Sequence, residues 1–155
     1  GMAKVLRVAP TLDIRPNIPM PDMETMKALL AHRFQAMTDF HRNVVKPALR
    51  EEARRRNVRL RRMIPRRLRK ALADDGRWLR PEAKAQMEAW IAGSPRIHTL
   101  VEHRRRLAQV LETRSANAQD TLHKLQEWCR EAEASGIRSL QEFAQRLRGY
   151  SLQAA

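Results

Sequence analysis

DMETMKALLAHRFQAMTDFHRNVVKPALREEARRRNVRLRRMIP, from Asp22 to Pro65, is the stretch whose reading decides the fold. Met23, Met26, Leu30, Phe34, Met37 and Val44 recur at helical spacing, which gathers side chains on one face of an α-helix. Asp22 is a good N-cap, and Glu24 adds negative charge to the first turn, where the helix dipole favours it. Pro47 sits inside the pattern and is expected to kink or break the helix, because it lacks a backbone donor. A second apolar row, Val45, Leu49, Ala53, Leu60 and Ile64, carries the helix on until Pro65 ends it.

The same stretch holds most of the charge. Thirteen basic residues fall between positions 42 and 70, opposed only by Glu51 and Glu52, so this segment carries +11 of the chain's net +14. Residues 117–155 balance five basic against five acidic side chains. Arginine outnumbers lysine 25 to 6. A GC-rich genome explains that ratio but not why the charge is gathered in one place. A polycation of this density seeks phosphate, which arginine binds through planar, bidentate contacts. The plain alternative is a solvated helix face.

Working outward, residues 1–21 hold Pro10, Pro16, Pro19 and Pro21 without a sustained period and read as an extended connector to a single helical domain over 22–155. Beyond Pro65, a short helical piece from Arg66 to Ala73 precedes a turn at Asp74-Asp75-Gly76. Pro81 suits the first position of a helix reaching Ile91, and Gly93 stops it. Ser94 and Pro95 open the next helix, with Ile97, Leu100, Val101, Leu107, Ala108 and Leu111 inward. Asn117 to Ala134 carries Leu122, Leu125, Trp128, Cys129 and Ala132, and Gly136 suits the position after its C-cap. The last helix, from about Ser139 to Arg148, presents Leu140, Phe143, Ala144 and Leu147. No stretch alternates as a strand would. The expectation is an all-α bundle of five to six helices.

At 155 residues, 43% hydrophobic and 31% charged, the chain has one domain's worth of core. No apolar run approaches the roughly 20 residues that span a bilayer. Arg7 and Asp13 interrupt any secretory apolar region, and Gly1 ahead of Met2 reads as a cloning remnant. The lone Cys129 precludes an internal disulfide, fits a cytoplasmic setting, and reads as a core residue beside Trp128 rather than a reactive thiol.

No catalytic or metal constellation is legible. His98 and His103 have H-x4-H spacing, but five helical residues turn through roughly 500°, which points the two rings apart. Asp120-x-x-His123 occurs once, whereas a di-iron bundle needs paired Glu-x-x-His motifs. There is no nucleophile elbow and no glycine-rich phosphate loop. Aromatic residues are 5% of the chain and none interleaves with the arginines of 42–70, which argues against binding single strands by stacking.

Two stretches, LAHRFQAMTDFHRNVVKPALREE (Leu30–Glu52) and LQEWCREAEASGIRSLQEFAQRLRGYSLQ (Leu125–Gln153), resemble the C-terminal region of bacterial acyl-CoA Δ9 fatty-acid desaturases. AKVLRVAPTLDIRP (Ala3–Pro16) resembles the segment that leaves their membrane domain. This resemblance implies a cytoplasmic helical extension of an integral-membrane oxidoreductase. Its di-iron cofactor would sit in a separate membrane domain, since this chain has no H-x-x-H-H. Trp128 with AEASGIRSLQEFAQRLR (Ala132–Arg148) also resembles a helical segment in one family of insertion-sequence DDE transposases, where it lies in the catalytic region ahead of the last acidic residue.

The leading expectation is therefore a non-catalytic accessory domain of a fatty-acid desaturase at the inner face of the membrane. Arg54, Arg55, Arg56, Arg61, Arg62, Arg66 and Arg67 would meet the phosphates of lipid or acyl-CoA. No cofactor is expected in this chain. The alternative is a transposase fragment using the same arginines on nucleic acid. Exposed Met and Leu rows would allow homo-oligomers.

Overall fold

The computed structural model describes residues 19–112 and 117–150, and among these every regular element is helical. The expected all-α bundle is what forms. Residues 1–18 of the proline-rich connector lie outside the described residues.

Asp22 caps α1 (Met23–Ala31) as its sequence position predicts, with Asp22 Oδ1 accepting from Thr25 N–H at 2.8 Å. One residue interrupts the rod before α2 (Arg33–Phe40). A π-helical segment (His41–Val45) and α3 (Lys46–Arg55) then follow without a break. Pro47 therefore does not break the helix, one of the two outcomes expected of it, but is accompanied by a local distortion. The turn before it widens, and Lys46 N–H donates to His41 O, five residues back. That wider turn gives the proline ring the room an α-turn would deny it.

The expected continuation to Pro65 does not occur. α3 stops at Arg55, and Asn57 takes a left-handed conformation with φ 54°. Asn57 N–H donates to Arg54 O and Val58 N–H to Ala53 O, both at 3.0 Å, which completes a Schellman motif. Asparagine tolerates the left-handed region better than most residues, and arginines near a helix C-terminus suit the dipole. The cationic stretch is thus folded back on itself as α3, α4 (Leu60–Met63) and α5 (Arg66–Ala71).

Asp75 and Gly76 turn the chain with φ 63° and 70° into α6 (Pro81–Ala92) and then α7 (Pro95–Glu112). Buried Ser94 caps α7 by accepting from Ile97 N–H. Asn117 caps α8 (Ala118–Glu133), and Gly136, φ 77°, leads to α9 (Arg138–Arg148). The two glycines differ in a testable way. A Cβ on Gly136 would meet nothing within 4 Å, whereas one on Gly76 would lie 2.9 Å from Met87 Cε and 3.1 Å from Leu79 Cδ1. Gly136→Ala should cost only the left-handed penalty of about 1–2 kcal/mol. Gly76→Ala should cost more, because Met87 is wholly buried and must also shift. Urea denaturation checks the order.

The core is one cluster. α9 packs on α8 and on the π segment, α7 sits between α6 and α8, and α1 lies against α8. Phe40, Trp128 and Phe143 meet edge to face, with ring centroids 5.2–6.3 Å apart. Trp128 Nε1–H donates to His103 O at 2.8 Å, and Ser139 Oγ–H to Val44 O at 2.9 Å, tying α9 to the π segment. Cys129 is fully buried here, and burial first, then Glu133, pushes its thiol up to about 12. Phe34 departs from its expected place in the first apolar row: it is 76% exposed, with the Arg33 guanidinium 4.8 Å from its ring centroid. The Met and Leu rows proposed for self-association are buried or half-buried instead, and the large exposed hydrophobics among the described residues are Phe34, Val58 and Trp78.

Candidate nucleic-acid interface

Two arginine triplets show how position decides availability. Arg104, Arg105 and Arg106, on α7, are committed internally. Arg104 is buried and donates to Ala73 O at 2.5 Å. Arg105 reaches Asp75 at 2.8 Å, Glu88 at 2.7 Å and Glu102 at 3.4 Å, and Arg106 pairs with Glu131. Arg54, Arg55 and Arg56, at the end of α3, remain exposed.

The seven arginines expected to bind phosphate are all exposed, yet they do not form one face. Arg56 pairs with the buried Glu52 at 2.9 Å, and Arg55 approaches the same carboxylate at 4.0 Å. Arg96 of α7 reaches Glu51 and Glu52 at 3.8 and 3.6 Å and adds a third cation there. Arg54 borders a cleft shared with Arg138 and with the carboxylates Glu51 and Glu142. Arg61 and Arg62 form a convex patch with Arg59 and Val58. Among the described residues, no carboxylate lies within ion-pair distance of Arg59, Arg61, Arg62 or Arg66. Arg67 lies 5.9 Å over the ring of Trp78, which is half-exposed, so folding does bring an aromatic residue to the arginines.

The fold also assembles a concavity that linear reading missed. Lys46 and Arg50 from α3 face Arg66, Arg69 and Lys70 from α5 across a cleft of about 310 Å³, with Leu49, Leu60 and His41 completing the lining. Five cations line it and no carboxylate does. His41 Nδ1 is buried without a hydrogen-bond partner among the described residues. Burial, then Lys46 and Arg104, holds the imidazole below its usual range, with Asp74 opposing. The sequence signal was present as the periodic cations Lys46 and Arg50, but their convergence with α5 depends on the turn at Asn57.

The remaining candidates stay apart. His103 is buried against Trp128, its Nδ1 2.8 Å from Thr99 O, while His98 is exposed. His123 lies near Glu127 on the exposed face of α8. Among the described residues no three His, Cys, Asp or Glu side chains converge to hold a metal ion.

These features define a helical scaffold with guanidinium and ammonium groups exposed on its surface. Comparison with known families matches residues 29–153 to the ISL3 DDE transposases, and the chain belongs to that transposase family. No curated protein and no solved structure matches it.

This membership overturns the desaturase reading. The match covers both long stretches on which that reading rested, Leu30–Glu52 and Leu125–Gln153, and nothing connects the chain with lipid or acyl-CoA. No described helix is long and apolar enough to cross a membrane. The misreading has a physical source. Amphipathic helices rich in Arg, Ala and Leu satisfy the same 3.6-residue periodicity in many unrelated bundles, so likeness over such segments discriminates poorly.

Proposed function

We propose that this chain is a DNA-binding helical part of a transposase, whose exposed arginines from Arg59 to Arg66 neutralise phosphates of a duplex backbone without reading base sequence. The observation that carries this is the exposed group Arg59, Arg61, Arg62 and Arg66, free of carboxylates among the described residues, in a chain of a transposase family. Phosphate contacts release condensed counterions, so log K falls with log salt by about 0.9 per contact. Four or five contacts give a slope of roughly −3.6 to −4.5 and a loss of roughly 150- to 500-fold between about 50 and 200 mM salt. Fluorescence anisotropy with a labelled duplex of arbitrary sequence measures both. A slope near zero would sink the proposal.

Trp78 supplies a local reporter. It is the exposed tryptophan, at 50%, while Trp128 is buried and Trp90 donates its indole N–H to Met63 O. DNA seated against Arg66 and Arg67 should quench Trp78 emission on titration. Trp78→Phe should abolish that quench while leaving most of the affinity. An unchanged spectrum in a bound complex would place the duplex elsewhere.

A further inference from the structure

The cleft between α3 and α5 differs in kind from the convex arginine patch. We propose that it seats the terminal phosphate monoester of a DNA strand, with Lys46, Arg50, Arg66, Arg69 and Lys70 as its ligands. This deepens the DNA-binding reading and rests on it.

The match is one of charge, shape and access. Five cations from two helices line the cleft with no carboxylate to offset them. A backbone phosphodiester brings one negative charge, and strand must leave the site from both of its ester oxygens. A terminal monoester carries about −1.5 to −2 at pH 7, presents three free acceptor oxygens, and continues on one side only. Arginines can take two of those oxygens at once while lysines supply point charge. Leu49 and Leu60 add apolar lining against which the end nucleotide's sugar or base can rest. At about 310 Å³ the cleft is near the lower end of ordinary ligand pockets and admits about one nucleotide.

His41 reports on occupancy. Facing it are Lys46 on its own rod, Arg104 from α7 and Asp74 from the turn after α5, and it shares the cleft with Arg50, Arg66, Arg69 and Lys70. An anion among these cations offsets the positive potential that disfavours the imidazolium, so the His41 midpoint should move up when the site fills.

The test compares a short duplex bearing 5′-phosphates with its 5′-hydroxyl twin, at equal salt, on the full chain. The phosphorylated duplex should bind on the order of tenfold tighter. In the K46Q/K70Q double variant the preference should vanish while binding of the hydroxyl duplex persists. Both lysines are exposed, and circular dichroism verifies the fold. In NMR titrations of the wild-type chain, inorganic pyrophosphate should raise the His41 midpoint, and in the double variant it should not. Equal affinity for the two duplexes, a preference that survives in the variant, or an unmoved His41 midpoint would each overturn the proposal. Retained duplex binding with no end preference would defeat the terminal site alone. Loss of all DNA binding would defeat the function proposed above as well.

Discussion

Reversing Arg61, Arg62 and Arg66 to glutamate should weaken duplex DNA binding on the order of 100-fold at about 0.1 M salt and flatten the salt slope by roughly three. All three are exposed and have no carboxylate partner among the described residues, so their charge is available to a ligand and their replacement breaks no internal pair. The control, compared per charge reversed, is R55E/R56E. Those two flank Glu52, which is buried and already shared with Arg96, so part of their charge is spent inside the protein. That variant should lose less affinity and more stability, because it sets new carboxylates beside Glu52. Equal loss of affinity in both variants would mean that net charge alone drives binding and that the structural distinction between the two groups is irrelevant to function.

Trp128→Ala should lower the unfolding free energy by about 3–5 kcal/mol, the range for removing a large buried aromatic side chain. Trp128 is 2% exposed and contacts Phe40, Phe143 and the His103 ring, so its loss opens a cavity where α2, α7, α8 and α9 converge. A domain of this size has about 5–15 kcal/mol in total, so the change removes a large share of it. Trp128→Phe keeps part of the aromatic packing and forfeits the indole donor to His103 O, which should cost about 1–2 kcal/mol more than the lost area alone. Chemical denaturation followed by circular dichroism measures both. An alanine variant within about 1 kcal/mol of wild type would mean that the aromatic cluster is not the keystone of the core.

The helical bundle was readable because its signals are local. Asp22, Ser94 and Asn117 cap the helices they precede, Pro81 and Pro95 open helices, and Gly136 closes one, since each choice depends on a few neighbouring backbone groups. The misplacements fall where a longer-range effect competes. Phe34 fits the helical period yet faces solvent, two residues past the break at His32 that resets the helical face. Asn57 ended a helix that the apolar row would have continued, since Val58 lies off that row and only the left-handed turn satisfies the last carbonyls.

The amino-acid order alone determined that this chain is helical, and that its positive charge is concentrated between residues 42 and 70. Only the tertiary structure decided which guanidinium groups are free. Two Arg-Arg-Arg runs are identical in sequence, yet Arg104 and Arg105 are taken up by a backbone carbonyl and by Asp75, Glu88 and Glu102, whereas Arg54, Arg55 and Arg56 stay exposed, with Arg55 and Arg56 reaching only Glu52. The cleft of five cations likewise exists only because the Schellman turn at Asn57 folds α5 back beside α3. Charge is a property of residues, whereas the field a ligand meets depends on which opposite charges folding has brought near.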